Sequence, residues 1–245
     1  MFDAAFQHIR TTANVGDRAC CPADYFDFGT STIGDFGADL PACHRAILGG
    51  GQVAQQAINA LIYNAAAARH TVIWAVGLDS KTAQSLPFEI ARASASLIST
   101  RNAGVAGLSH VPCVSAMSPL FDAPPAPKHE VVAFLHHRKS TGITLPDSIP
   151  SLTNHGPTLQ QAIAHIASGD TVVTNSYHGT YWAMLLGRRT LCLPFSNKFN
   201  GFADPPTMAT PSNWQTALPK ARRHPALLEQ ARTANRGFFD KVMNL

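Results

Sequence analysis

Between Gly169 and Lys198 the chain reads GDTVVTNSYHGTYWAMLLGRRTLCLPFSNK, and within it Ser176, His178 and Lys198 are the residues best suited to chemistry. A hydroxyl, an imidazole and an ammonium group can all donate hydrogen bonds to an anion. Ser176 and His178 lie in a turn, Asn175–Gly179, between a β-branched run (Thr171–Thr174) and an apolar, helix-competent run (Thr180–Leu186). Such a turn joins a strand C-terminus to a helix N-terminus, where free N–H groups and the positive end of the helix dipole favour negative charge. A second strand-length run, Thr190–Pro194, follows, so the stretch reads as a right-handed βαβ unit. Lys198 then falls in the loop beyond the second strand and can converge on the same sheet edge. Gly187 stands where a left-handed helix cap is wanted, and Arg188 and Arg189 follow at the negative end of the dipole. The plainer reading of the same residues is a helix-capping histidine and a solvated lysine.

Further candidates stand at the ends of other predicted strands. Arg101 follows the run Ser96–Thr100, and His136, His137, Arg138 and Lys139 close the run Glu130–His137, either as an anion-seeking cluster or as a solvated basic loop. Ala46–Leu48 leads into Gly49, Gly50 and Gly51 and then a long Ala-rich helix, Gln52–Arg69, a geometry that can cradle an anion. The glycines do not have GxGxxG spacing, and no acidic residue stands at the usual distance for a ribose, which argues against a dinucleotide. They can also serve tight helix–strand packing alone. In Asn14-Val15-Gly16-Asp17, Gly16 permits close backbone approach, while Asn14 and Asp17 either cap a local turn or face a ligand.

The remaining elements must hold these residues. Met1–Ile9 has the spacing of a short amphipathic helix, and Pro22 interrupts any helix that starts at Asp17. Tyr25–Phe28 reads as a strand, followed by a mobile loop through Ala38. Thr71–Gly77 reads as a central parallel strand with Trp74 in the core, and Leu78–Ser85 as a polar loop. Pro119–Lys128 has the composition of a semi-rigid linker, with a lobe boundary near Ala123. Ile149–Leu152 reads as a strand and Thr158–Ala167 as a helix, then Phe199–Ser212 as irregular, and Trp214–Leu218 and Pro225–Val242 as helices. The last carries an apolar stripe of Leu227, Leu228, Ala231, Phe238, Phe239 and Val242.

With 245 residues and 45% hydrophobic content, the chain can bury a core of its own. Its net charge of +4 arises from only 14% charged residues, and the nearest thing to a dense Lys/Arg run, Lys220–His224, is only a short patch, which argues against a nucleic-acid partner. Five cysteines, with no CxxC spacing, fit neither a disulfide framework nor a zinc site, so buried free thiols in a reducing compartment are expected. No basic start precedes an apolar stretch, and no run approaches the ~20 apolar residues of a membrane span. A cytoplasmic protein is expected, with peripheral contact at the inner face of a membrane left open.

Three segments in this order, Asn14–Asp17, Ile47–Gly51 and Thr174–Gly179 with its Gly-closed helix and Lys198, make the chain resemble the polysaccharide pyruvyl transferases. It departs from them in the polar residues before Asn14, in Pro22, and in having Ser176 where an arginine is frequent. The resemblance implies an α/β fold of two Rossmann-like, glycosyltransferase-B-like lobes facing a central cleft. Residues 1–123 would form the N-terminal, acceptor-side lobe and 124–220 the C-terminal, donor-side lobe, with a helix in 221–245 crossing back to the first lobe. The implied reaction transfers pyruvate as a ketal from phosphoenolpyruvate to a hexose of a cell-surface polysaccharide or its lipid-linked precursor, without a metal or a further cofactor. His178 and Asp17 would then be catalytic. Arg101, Ser176, Lys198, Asn14, Gly50, Gly51, His137 and Arg138 would bind substrate. The alternatives are a nucleotide-sugar-dependent glycosyltransferase of the same architecture and a non-catalytic carbohydrate-binding protein. No glutamate lies near a strand C-terminus of the second lobe to grip a donor ribose, which disfavours the first.

Overall fold

The structure is a computed structural model that describes residues 1–64, 66–140 and 142–245. It is a mixed α/β protein with two wholly parallel sheets. The chain divides into two compact units, one made of Met1–Thr12, Asp17–Met117 and Ala231–Leu245, the other of Ala13–Gly16 and Ser118–Gln230.

In chain order the first unit contributes β1 (Phe2–Gln7), β2 (Ser31–Gly34), β3 (Cys43–Gly51), α2 (Ala54–Tyr63), β4 (Ala68–Val76), α3 (Ser80–Ala83), α4 (Leu86–Ser94), β5 (Leu97–Thr100) and β6 (Ser109–His110). A one-turn helix, α1 (Val15–Arg18), lies between β1 and β2. The strands run in the order β2-β1-β3-β4-β5-β6. One face of the sheet buries Ala5, Leu48 and Ile73 against Ala57, Ile58 and Leu61 of α2 and Phe88 of α4. The other buries Phe6, Ile47 and Trp74 with Phe28 and, from the C-terminal helix, Phe238 and Val242.

The second unit contributes β7 (His129–Leu135), β8 (Ser151–Thr153), α5 (Leu159–Ala167), β9 (Gly169–Thr174), α6 (Tyr177–Leu185), β10 (Arg189–Cys192), β11 (Thr207–Met208) and α7 (Trp214–Ala217), in the sheet order β11-β10-β9-β7-β8. The final helix, α8 (Leu227–Met243), follows, and its residues from Ala231 onward belong to the first unit.

Several expectations are corrected. Met1–Ile9 is not a helix: Phe2–Gln7 is a strand flanked by β2 and β3, and Ala4–Gln7 is buried throughout. A strand covered on both faces loses alternation, so Phe2, Ala5 and Phe6 mimic helical spacing. Tyr25–Phe28 follows a 3-10 turn, Pro22–Asp24, and is not a strand. Phe26 and Phe28 instead join an aromatic cluster with Trp74 and Phe239. The strand lies inside the expected mobile loop, at Ser31–Gly34, an edge strand too polar to announce itself. The helix expected over Gln52–Arg69 ends at Tyr63, and residue 65 lies outside the described residues. Leu78–Ser85 is no plain loop. Asp79 caps α3 by accepting from Thr82 N at 2.8 Å, and Ser85 caps α4 by accepting from Phe88 N at 3.3 Å. The Pro119–Lys128 segment holds a 3-10 turn whose Phe121 is buried, and the Arg188 guanidinium donates to Pro125 O.

Candidate functional site

The βαβ unit forms as expected: β9 and β10 are parallel, pairing Arg189 with Thr171 and Cys192 with Thr174. Gly187 adopts φ +63°, and its N–H donates to Met184 O at 3.0 Å, so the helix stops there. The helix starts three residues before the expected Thr180, however. Ser176 is its N-cap, accepting from Gly179 N at 3.3 Å, so its hydroxyl oxygen already serves the helix. His178 is therefore a first-turn residue and not a turn residue. It is 6% exposed, its ring centroid 5.4 Å from Trp182 and 5.7 Å from Tyr177.

Asn175 ties the strand end to the basic turn. Its Oδ1 accepts from His136 N at 2.7 Å and its Nδ2 donates to Lys139 O at 2.7 Å. Asn154, just past β8, accepts from His137 N at 2.8 Å. His137, Arg138 and Lys139 are exposed, with the His137 ring stacked on His155 at 4.7 Å. Lys198 lies beyond β10 with Nζ 4.3 Å above the Phe195 ring and 5.2 Å above Phe199. Phe195 also meets His136 edge-on at 5.3 Å. The C-terminal ends of β7, β8, β9 and β10 thus gather His136, His137, Arg138, Ser176, His178 and Lys198 along one sheet edge, where ligands of such folds bind.

The Asn14 motif belongs partly to this edge. Asn14 forms an antiparallel bridge with His155, Val15 N donates to Asn154 O at 2.9 Å and Gly156 N to Ala13 O at 3.0 Å. The Asn14 side chain caps a local turn, accepting from Gly16 N at 3.0 Å. Gly16 packs against His178 so closely that a Cβ there would lie 2.2 Å from Nδ1. The sequence assigned Asn14 to the N-terminal lobe, whereas it counts with the second unit.

Asp17, Gly50, Gly51 and Arg101 belong to the first unit. The tri-glycine is not a turn but the end of β3, with φ of 113°, 87° and 83° at Gly49, Gly50 and Gly51. A Cβ on Gly49 would lie 2.5 Å from Val76 Cγ1 and one on Gly50 2.5 Å from Cys20 O, so these two are required by packing. At Gly51 the nearest atom to such a Cβ is Asp17 Oδ1, at 3.6 Å. His8, 1% exposed, bridges the same segments, with Nδ1 2.7 Å from Gly49 O and Nε2 2.8 Å from Asp17 O. Nothing in the sequence around His8 signals this role.

A bulge in β4 sets the last member. Ala75 has φ +49° and the β4–β5 register shifts between Ile73 and Val76. Past it, Gly77 N donates to Gly51 O at 2.7 Å and Arg101 N to Val76 O at 3.1 Å. Arg101 is 4% exposed, its Nη2 donating to Gln52 Oε1 at 3.0 Å. A Cβ on Gly77 would stand 2.8 Å from Arg101 Nε. All five cysteines are buried free thiols, as expected, and Cys20 and Cys113 have their sulfurs 3.4 Å apart. The neighbouring Cys113 thiol and burial hold the Cys20 thiol well above its ordinary pKa.

No protein-family model and no functionally curated protein matches this sequence. Among solved structures the chain is similar to a functionally uncharacterised protein from Klebsiella pneumoniae, at 14% identity and a TM-score of 0.57 over 82% of this chain and 86% of that one. It is also similar, at 10% identity and a TM-score of 0.40 over 79% of this chain and 71% of that one, to the glycotransferase of kitacinnamycin. The first likeness bears on the fold alone and the second carries no argument. Among the described residues no helix is long and apolar enough to cross a membrane.

Proposed function

We propose that this protein transfers pyruvate as a ketal from phosphoenolpyruvate to a hexose of a cell-surface polysaccharide or its lipid-linked precursor, with its two units acting as the acceptor and donor lobes of a glycosyltransferase-B-like enzyme. The observation that carries the reading is the contact of Gly16 with His178, because it joins two of the three segments on which the resemblance rests. A glycine that must lack a side chain so that an imidazole can lie against it is unusual as mere turn chemistry.

In the reaction the donor's methylene carbon takes up a proton, and one sugar hydroxyl adds to the resulting cationic carbon and loses its own proton. A second hydroxyl then displaces phosphate and closes the ketal. The donor's phosphate and carboxylate need several fixed donors. In this reading His178, Lys198 and the basic turn with His137 and Arg138 hold the donor, Ser176 fixes the helix start, and Arg101 contributes a planar fork. His178 is the acid and Asp17 the base for the acceptor hydroxyl. The reaction as proposed needs no metal or cofactor besides the donor.

The test is phosphate release from phosphoenolpyruvate with a panel of hexose-containing acceptors, run beside nucleotide sugars as donors. Acceptor-dependent phosphate release is expected. Sugar transfer from a nucleotide donor, with phosphoenolpyruvate inert, would replace this reading by the glycosyltransferase one.

A further inference from the structure

A cavity of about 480 Å³ opens in the first unit, at the C-terminal end of β1 between the loop after β2 and helix α2. This lies within the ~300–1,000 Å³ range of small-molecule sites. Four side-chain amides line it, Gln7, Gln56, Asn59 and Asn64, together with the rings of Phe36 and Tyr63. Among the described residues of the lining, Asp39 alone is charged.

Gln7 adds an unpaired acceptor beneath the lining. It is 2% exposed, its Nε2 donates to Ala38 O, and its Oε1 is buried without a hydrogen-bond partner among the described residues. Exchanging the two amide atoms would set oxygen against oxygen at Ala38, so the orientation is fixed by chemistry. A buried acceptor left without a donor is costly, and native proteins rarely tolerate one without a reason. Asn59 Oδ1 accepts from Gln55 Nε2 at 2.9 Å, which leaves its NH₂ group to donate. Tyr63 is 85% exposed at the rim, although it ends a helix whose apolar side is well buried.

We propose that this cavity binds one neutral sugar residue, with adjacent hydroxyls bonded by Asn59 and Gln56, a further hydroxyl reaching Gln7 Oε1 once the side chain opens toward it, and the Tyr63 ring against a C–H face of the sugar. Amides offer donor and acceptor side by side, which suits vicinal hydroxyls. A lining without a cation and with one carboxylate disfavours a phosphate or carboxylate ligand. The site names where a neutral acceptor would lie in the proposed transfer and rests on that reading only in the word acceptor.

The experiment is titration of the full chain with lactose, cellobiose and mannobiose, and with adenosine, uridine and phosphoenolpyruvate for comparison, followed by calorimetry or ligand-observed NMR. Tyr63→Ala and Asn59→Ala change exposed positions, so both should melt with the unaltered protein. At least one disaccharide should bind saturably, and each substitution should weaken it tenfold or more. Binding of no disaccharide, binding indifferent to both substitutions, or preference for a nucleoside would each overturn the proposal. Saccharide binding that needs Tyr63, in a protein inert toward phosphoenolpyruvate, would keep the cavity and remove the transfer reaction. Acceptor-dependent turnover that survives Tyr63→Ala would do the reverse.

Discussion

The imidazole of His178 rests on the backbone of Gly16, and a Cβ at residue 16 would stand 2.2 Å from Nδ1 and 2.6 Å from Cγ. No φ of Gly16 lies in the left-handed region, so the demand for glycine is one of space alone. Gly16→Ala should therefore displace the His178 ring and destabilise the protein by about 1–3 kcal/mol, the usual cost of overpacking. In a His178→Ala background the two ring atoms are gone and only the Cβ remains, at 3.0 Å, so the same substitution should cost less. A double-mutant cycle by denaturant unfolding measures this coupling. Equal costs in both backgrounds would mean that the ring yields freely, and the contact would then lose its weight as the link between the two segments.

The βαβ unit was legible because each of its parts has a local signal: β-branched residues for β9, an all-apolar helix, and a glycine that stops it. What the sequence hid was where the helix begins. Tyr177, His178 and Gly179 look like turn residues, yet Ser176 caps them into α6, and His178 becomes a buried first-turn residue. It is consequently a packing residue as well as a candidate for chemistry. His8 was illegible for another reason: its partners, Gly49 O and Asp17 O, come from backbone that is near only after β1 and β3 have paired. In α8 the apolar stripe holds at Ala231, Phe238 and Val242, which are buried, while Leu227, Leu228 and Phe239 are half-buried. It misses Asn235, which lies at its centre, fully buried, accepting from Trp74 Nε1 at 3.2 Å and donating to Pro112 O at 3.1 Å. A polar residue satisfied on every side cannot be told from a solvated one by periodicity.

Arg101 is held more firmly than its place at a strand end suggested. It is 4% exposed, its N–H closes on Val76 O and its Nη2 on Gln52 Oε1. Arg101→Ala should accordingly cost stability as well as function, which makes it a poor test. Arg101→Lys keeps the charge but not the fork. Under the proposed function it should weaken use of phosphoenolpyruvate by about 1–3 kcal/mol, the scale of a charge-assisted hydrogen bond, and leave the acceptor's apparent affinity unchanged. Kinetics with each substrate varied in turn separates the two. A loss confined to the acceptor constants would move Arg101 out of the donor site.

Acid stability should depend on Asp35, which pins the loop after β2 to the end of β1. Its carboxylate accepts from Arg10 N at 2.6 Å, from Thr11 Oγ1 at 2.5 Å and from Thr11 N at 3.2 Å. The Thr11 hydroxyl above all, then the Arg10 N–H, holds the Asp35 carboxyl below its ordinary range, against a small opposing effect of burial. A depressed folded pKa means that the unfolded chain takes up the proton first. The stabilisation is then complete above the unfolded value of about 3.9 and is lost as pH falls through the lower folded value. Asp35→Asn removes this dependence at one position and leaves the other acid-sensitive carboxylates, Asp3, Asp79 and Asp204, in place. The variant should be less stable than the unaltered protein at pH 7, with the gap narrowing as pH falls below about 4. Urea unfolding of both proteins at pH 7, 4 and 3 gives the comparison directly. A gap that stays constant across the series would show that the Asp35 charge contributes nothing beyond the hydrogen bonds an amide can also accept.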